Sequence, residues 1–274
     1  MIAVRVKRAL LSPPTWRAVV SIVVFLVLWE LGAKSKPWFG FQVPWIGAVP
    51  APSDVLKVWI ALLSDRGYWE SWYLSSLRVL GGFVAAMLVG IPFGLMLAIS
   101  RTAYGVCFPT FEVLRPIPPL AWVPAAIIFW PTQELSIGFV TFLGAFFTIV
   151  INVLGGARSI DVRYFQAARS MGASSWDVFR RIILPAVIPS IAVGSMVGMG
   201  ITWNVVVAAE MISGGGGQAS GAGGGLGFFI WNSYVGGSYD QIVVGMISIG
   251  MAGYASSAVL RKLGELSTPW LRSR

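Results

Sequence analysis

Histidine is absent from this 274-residue sequence, and cysteine occurs once, at Cys107. A single cysteine excludes a disulfide framework within one chain. The lack of histidine excludes a His-based catalytic triad and, together with the lone cysteine, a Cys/His metal site. No metal ligands and no catalytic residues are therefore predicted. Charged residues are also scarce, at 11% of the chain, which is low for a soluble protein.

Apolar residues are abundant instead. The chain is 56% hydrophobic, with a mean hydropathy of +0.76, and this composition is typical of a membrane protein. The net charge of +9 does not indicate nucleic-acid binding, because the basic residues are spread between apolar runs rather than gathered on one surface. Contact with lipid headgroups and the sidedness of loops explain the charge better.

Six apolar runs predict six transmembrane helices and an all-α polytopic fold. They cover residues 18–33, 77–99, 104–130, 135–154, 188–212 and 242–260. The first run is long for a signal peptide and lacks a clear cleavage site, so we interpret it as a retained helix. The third is interrupted by four prolines (Pro116, Pro118, Pro119 and Pro124). Glycines four apart, in the pairs Gly90/Gly94 and Gly194/Gly198, predict close helix packing.

The distribution of basic residues predicts which side each loop occupies. Most of the 20 Lys and Arg residues fall in the N-terminal segment (Arg5, Lys7, Arg8 and Arg17), at Arg101, between residues 157 and 187, and near the C-terminus. The other side has Lys34, Lys36, Lys57 and Arg66. By the positive-inside rule, both termini and the interval 157–187 are predicted to be cytoplasmic.

The interval 157–187 is the longest polar stretch in the C-terminal half and predicts two short helices joined by a corner. Residues 164–171 contain no helix breaker, and Gly172 has the freedom that a helix C-terminus needs. Ser174 or Ser175 is positioned to cap the second helix, with Asp177 in its first turn.

This interval resembles the cytoplasmic coupling loop of ABC-transporter permeases. The family pattern of Glu-Ala-Ala, a glycine four residues later and a closing Ile-x-Leu-Pro is matched by Gln166, Ala167, Ala168, Gly172, Ile182, Leu184 and Pro185; Ala173 adjoins the glycine. Gln166 stands where the family usually has Glu. Glutamine keeps the hydrogen-bonding reach of glutamate but removes its charge. The two alanines are expected to fit a groove on a partner. Residues 157–187 are called the coupling loop below.

Two further segments narrow the resemblance to the nitrate, sulfonate, bicarbonate and taurine permease branch. Residues 112–124 resemble that branch's third span, and residues 201–211 resemble its fifth span. Residues 225–232 are most similar to its nitrate and bicarbonate members. The colinear match extends over about residues 74–263 and departs at the glycine-rich stretch of residues 214–227, which lacks the Gly-Lys-Ser/Thr of a phosphate-binding loop. We interpret that stretch as a flexible outer loop.

The resemblance implies a type I importer permease with three kinds of partner. These are separate cytoplasmic ATPase subunits that bind ATP and Mg, a second permease copy in a homodimer or pseudo-dimer, and a periplasmic or lipid-anchored solute-binding protein. The resemblance also implies a multi-pass protein of a bacterial plasma (inner) membrane, with membrane lipids around its spans and no cofactor in this chain. Residues 1–73 hold the first span and an outer interfacial segment, residues 74–263 the permease core, and residues 264–274 a cytoplasmic tail.

Polar side chains within the predicted spans are the candidates for a translocation path, because they are costly to place in lipid. They are Glu112, Arg115, Thr148, Asn152, Thr202, Asn204 and Glu210. Glu112 and Arg115 are three residues apart and share a helical face, so they can pair. Arg115 is expected to be the one cation buried inside a span. It either attracts an anionic solute or forms a structural ion pair with Glu112.

Two other functional classes are weighed against the permease. An ion-coupled secondary carrier would use carboxylates such as Glu112 and Glu210, but it would leave the coupling loop without a role. An intramembrane hydrolase needs a nucleophile and base or paired aspartates, and the spans contain no histidine and no aspartate. The permease is therefore the favoured interpretation.

Overall fold

The computed structural model describes residues 13–41, 44–213 and 224–269. Twelve α-helices are assigned within these residues, from α1 to α12. In order they are α1 Pro13–Ala33, α2 Ser35–Phe39, α3 Pro52–Leu62, α4 Arg66–Ile99, α5 Arg101–Leu114, α6 Val123–Phe129, α7 Gln133–Arg158, α8 Val162–Ser170, α9 Ser175–Val178, α10 Leu184–Ser213, α11 Leu226–Val235 and α12 Tyr239–Ser267. Two regions used in the sequence predictions lie outside the described residues. They are the N-terminal basic residues Arg5, Lys7 and Arg8, and most of the glycine-rich stretch.

Five of the described helices, α1, α4, α7, α12 and the continuous helix that ends with α10, are long and apolar enough to cross a membrane. The number is six if the bent pair of α5 with Pro119–Phe129 forms one span. The six predicted runs therefore correspond to helices, but the third is not straight: its two halves meet at 89°. The physical reason is the run of prolines from Pro116 to Pro119, which removes backbone donors and disfavours helical geometry at each preceding residue.

The chain divides into two compact units. The first comprises the described residues of Met1–Asp65 and Asn232–Met246. In it, the end of α1 is fastened to the start of α3: Glu30 accepts hydrogen bonds from the Ser53 amide at 3.0 Å and the Ser53 hydroxyl at 2.8 Å. Lys34 completes this group with an ion pair to Glu30 at 2.8 Å.

The second unit comprises the described residues of Arg66–Trp231 and Ile247–Arg274, and its core is a bundle of α4, α7 and α10. Helix α7 makes the most contacts with the other two and supplies several fully buried apolar residues, among them Ile149, Val150 and Val153. The bundle determines where the coupling loop lies, because this loop joins the end of α7 to the start of α10.

Glycine allows these helices to approach each other closely, as the small-residue spacing predicted. A Cβ atom added to Gly94 on α4 would lie 2.9 Å from the Cβ of Val153 on α7. One added to Gly194 on α10 would lie 2.7 Å from the Cβ of Asn152. Real Cβ atoms do not approach other atoms this closely, so both glycines are required by the helix separation.

Candidate functional site

The coupling loop folds as two short helices around a glycine corner, which confirms the local prediction. The Asp161 side chain caps α8 by accepting a hydrogen bond from the Arg163 amide at 2.9 Å. The Arg163 guanidinium and amide, both bonded to this carboxylate, hold the pKa of Asp161 below its usual range, so the cap stays ionised at neutral pH. Ser174 and Asp177 form a capping box at the start of α9.

Gly172 makes the corner by adopting a left-handed conformation with φ of +78°. The Gly172 amide bonds the Arg169 carbonyl at 3.0 Å, and the Ala173 amide bonds the Ala168 carbonyl at 3.0 Å, so the last carbonyls of α8 are satisfied. A π-helical turn, Phe179–Ile183, then leads into α10 without a break in the helix.

Five of the eight predicted coupling residues line two surface grooves. Ala168, Gly172, Ala173 and Ile182 line one surface groove, and Ile182 with Pro185 lines a second groove next to Tyr164. Gln166 and Ala167 are exposed on α8, and Leu184 is half-buried at the start of α10.

One part of the sequence interpretation needs correction. Ala168 was expected to fit a partner's groove beside Ala167, but it is buried against its own loop. The corner at Gly172 brings the chain back to this residue: the Ala173 amide donates to the Ala168 carbonyl, and Ala168 shares a groove with Ala173 and Val178. Only Ala167 of the pair faces outward.

Large apolar side chains project from this basic loop into solvent. Met171 is 82% exposed and Trp176 is 65% exposed, and Val162 and Tyr164 are similarly uncovered. Trp176 stacks on Phe179 with ring centroids 5.5 Å apart. Exposed apolar groups of this kind are typical of surfaces that bind partner proteins.

The predicted path residues separate into three groups. Arg115 and Thr148 line the same groove, between the broken third span, α7 and α10, together with Phe147 and Ile201. Glu112 joins them through its ion pair with Arg115, at 3.0 Å. Asn152 lies one turn beyond Thr148 and donates to the Thr148 carbonyl at 2.8 Å.

The other predicted path residues lie elsewhere. Thr202 is buried and bonds the Gly198 carbonyl of its own helix at 2.8 Å, while Asn204 is exposed on α10. Glu210 is buried in a separate polar cluster. Two of the seven predicted residues, Arg115 and Thr148, therefore line the groove, and Glu112 is paired with one of them.

Arg115 is not the buried cation that the sequence suggested. Its side chain is 39% exposed and that of Glu112 is 43% exposed, because both lie where α5 ends and the prolines turn the chain away. The deeply buried cation is Arg78 on α4, with 7% of its side chain exposed.

Arg78 is the centre of a polar cluster that sequence reasoning missed. It pairs with Glu210 on α10 at 2.8 Å and makes a two-pronged contact with Glu134 at the start of α7. Ser75, one turn before Arg78, donates to both oxygens of Glu210 at 2.8 and 2.9 Å. The available signal was the polar pair Ser75/Arg78 at the beginning of a span, matched by Glu210 near the end of another. We call Ser75, Arg78, Glu134 and Glu210 the Arg78 cluster.

Comparison with known proteins decides the family. The sequence model described as "Binding-protein-dependent transport system inner membrane component" matches residues 90–273. The chain belongs to this family. It is a permease subunit of an ABC transporter, with several membrane-spanning helices.

Curated relatives cover nearly the whole chain of this permease. It is 33% identical to the nitrate import permease protein NrtB of Synechocystis sp. over 94% of this chain and 91% of that one. It is 31% identical to the taurine transport system permease protein TauC of Escherichia coli over 81% and 80% of the two chains. It is 30% identical to the bicarbonate transport system permease protein CmpB of Synechococcus elongatus, over 85% and 82%.

Solved structures confirm the fold. A chain from inward-facing conformations of the MetNI methionine ABC transporter superposes with a TM-score of 0.57 at 22% identity. The alignment covers 77% of this permease and 99% of that chain. The predicted type I importer architecture is therefore confirmed.

Proposed function

We propose that this permease forms the translocation path of an ATP-driven importer for a small anion, together with a second permease copy. Separate cytoplasmic ATPase subunits bind ATP and Mg and contact the coupling loop. A solute-binding protein delivers the anion to the opposite face. In this arrangement both termini and the coupling loop are cytoplasmic.

The observation that carries the proposal is the composition of the coupling-loop surface. Met171, Trp176 and Tyr164 are exposed beside the basic residues Arg163 and Arg169 on a segment that is held rigid by two helix caps. A rigid, partly apolar, basic projection between two long membrane helices suits insertion into a groove on a soluble subunit. It does not suit insertion into lipid, because four arginines of the same segment, Arg163, Arg169, Arg180 and Arg181, are also exposed.

The groove at Arg115 supports an anionic solute. Arg115 places a guanidinium beside the Thr148 hydroxyl-bearing side chain in a cleft with otherwise apolar walls. A guanidinium offers several N–H donors in a planar fork, which matches the oxygens of nitrate, bicarbonate or a sulfonate. The relatives named for nitrate, taurine and bicarbonate permeases agree with this chemistry.

Partner binding is tested by co-purification. The tagged permease is expressed with the ATPase subunit of the same transport system, as wild type and as Met171→Asp. We expect the wild type to retain the ATPase and Met171→Asp to lose most of it, because a buried unpaired charge opposes association. Leu266→Asp is the matched control, since Leu266 is also an exposed apolar residue near the predicted cytoplasmic end of a helix. Retention of the ATPase by Met171→Asp would refute the docking surface.

The role of Arg115 is tested by comparing uptake with stability. We expect Arg115→Gln to lower the uptake rate while assembly and basal ATPase activity stay unchanged, and Glu112→Gln to have a smaller effect. An exposed ion pair contributes only about 0–1 kcal/mol, so neither change should unfold the protein. If both changes lower thermal stability equally and the double variant recovers it, Arg115 is half of a structural pair and not a path residue.

A further inference from the structure

The Arg78 cluster has no role in the function proposed so far. It lies at the end of the bundle away from the coupling loop, since α7 begins and α10 ends there. Ionisable groups buried within a membrane bundle are expensive, and they usually serve a purpose beyond packing. Arg78 and Glu210 are the deeply buried pair within the described residues, with side-chain exposures of 7% and 0%.

The Arg78 guanidinium joins three parts of the chain at once. Its Nε and Nη2 atoms donate to the two oxygens of Glu134 on α7. Its Nη1 atom donates to Glu210 on α10 at 2.8 Å and to the Gly224 carbonyl at 3.0 Å. A lysine would provide the charge but not this planar fork.

The same cluster fastens the start of α11. The Leu226 amide donates to the Ser75 hydroxyl at 2.8 Å, and the Gly227 amide donates to Glu210 at 2.9 Å. Gly225 has a φ of +86°, and a Cβ atom added there would overlap the Glu210 carboxylate. Residues 224–227 are thus held against the carboxylate, with no room for a side chain at Gly225 or Gly227.

The two carboxylates differ in how tightly they are held. Glu210 is completely buried and accepts from Ser75, Arg78 and Gly227. The Glu134 side chain is 63% exposed. Glu210 alone can balance the charge of Arg78, so the contact with Glu134 can open without leaving a buried charge unpaired.

Helix α7 connects this contact to the rest of the site. It begins one residue before Glu134, lines the Arg115 groove with Phe147 and Thr148, and ends at Arg158 where the coupling loop starts. Proline interrupts α4 at Pro92 and α10 at Pro189, whereas α7 contains none. A displacement at Glu134 is therefore transmitted along α7 more directly than along its neighbours.

We propose that Arg78 is a positioning residue that couples the start of α11 to α7 through Glu134. Displacement of residues 224–227 then shifts α7, and with it the Arg115 groove and the coupling loop. The proposal rests on the proposed transport function, because it assigns to the Arg78 cluster a step in relaying to the ATPase that the binding protein has delivered its solute. It predicts that the Glu134 contact controls stimulation of ATP hydrolysis rather than assembly.

The experiment uses the complex of permease and ATPase reconstituted in lipid, with and without the solute-loaded binding protein. We expect Glu134→Gln to keep the ATPase bound and to keep basal hydrolysis within about twofold of wild type. Stimulation by the loaded binding protein should fall at least about fivefold, the lower end of typical coupling between sites. Glu134→Asp retains the charge and should recover part of the stimulation.

Two control variants separate coupling from local stability. Glu70→Gln removes an ion pair with Arg66 on the same helix as Arg78, and Asp240→Asn removes an acidic residue from the first turn of α12. Both should leave stimulation unchanged, so the loss of a surface pair or of a helix-terminal charge would not account for the effect.

Wild-type stimulation in Glu134→Gln would overturn the proposal. So would a loss of stimulation that only parallels a loss of thermal stability, because a purely structural role predicts that result. Failure of the wild-type permease to bind the ATPase would instead contradict the proposed function, and the two outcomes are read in separate measurements.

Discussion

At the scale of single residues, burial decides which charges matter to stability. Arg78 and Glu210 are enclosed by α4, α7 and α10, whereas Arg115 and Glu112 face a groove. Removing one member of a buried pair leaves the other uncompensated, at a typical cost of about 3–5 kcal/mol. An exposed pair contributes about 0–1 kcal/mol, because solvent replaces the lost partner.

We therefore expect Glu210→Ala to lower the thermal stability of the purified permease strongly. It removes the buried one of the two carboxylates that pair with Arg78, and it leaves the Ser75 hydroxyl and the Gly227 amide without their acceptor. Glu112→Ala is the matched control and should shift the unfolding temperature little. Equal shifts in thermal unfolding for the two variants would show that the buried pair is not the stabilising one.

At the scale of elements, two glycine positions determine how the helices pack and how the coupling loop turns. Gly94 sets the approach of α4 to α7, and Gly172 sets the corner between α8 and α9. Each has a matched control glycine, Gly81 for Gly94 and Gly155 for Gly172, with open space around it and no positive φ.

Gly94→Ala should destabilise the bundle by about 1–3 kcal/mol, the usual cost of overpacking. The added Cβ would meet Val153 at 2.9 Å. Gly81→Ala on the same helix meets nothing within 4 Å and should be neutral or slightly stabilising. Thermal unfolding of both variants in the same detergent checks this, and a neutral Gly94→Ala would mean that the α4–α7 separation is adjustable.

Gly172→Ala should impair coupling although nothing lies within 4 Å of the added methyl group. A left-handed conformation costs a non-glycine residue about 1–2 kcal/mol, so the corner would open and displace α9. Gly155→Ala, also in open space but without a positive φ, should have no effect. The measurement is ATPase stimulation by the solute-loaded binding protein, and equal stimulation in the two variants would contradict this account of the corner.

At the scale of the whole molecule, the features that could be predicted from sequence are those with local causes. Apolar runs predicted the membrane-spanning helices, and Gly172 with Ser174 predicted the two short helices of the coupling loop. The bend of 89° in the third run was signalled by prolines, but its size depends on packing. The burial of Ala168 depends on how the corner folds back, which no local pattern states.

The Arg78 cluster could not be found in this way because its members are distant in the chain. Arg78 and Glu210 are separated by 132 residues, and Arg78 and Glu134 by 56. A span with one polar pair and another with one carboxylate become a site only when the bundle brings their ends together. The sequence also does not show which cation the bundle encloses. Arg115 was therefore predicted to be buried, whereas the structure buries Arg78.

The orientation of the chain remains a prediction that labelling checks directly. In a Cys107→Ser background, a cysteine at Ser174 should react only with reagent on the cytoplasmic side. A cysteine at Ser220, which lies outside the described residues, should react only from the opposite side. Labelling of both from one side would mean that the continuous helix Ser175–Ser213, which lies between the two positions, does not cross the membrane.

We expect this permease to move a small anion only when an ATPase acts on its coupling loop. Uptake of labelled nitrate, bicarbonate and taurine into vesicles that contain the permease, its ATPase and its binding protein measures this dependence. We predict uptake of one of these anions that requires ATP and is lost in Gly172→Ala but not in Gly155→Ala. Anion uptake without ATP, driven by an ion gradient and indifferent to Gly172→Ala, would contradict it.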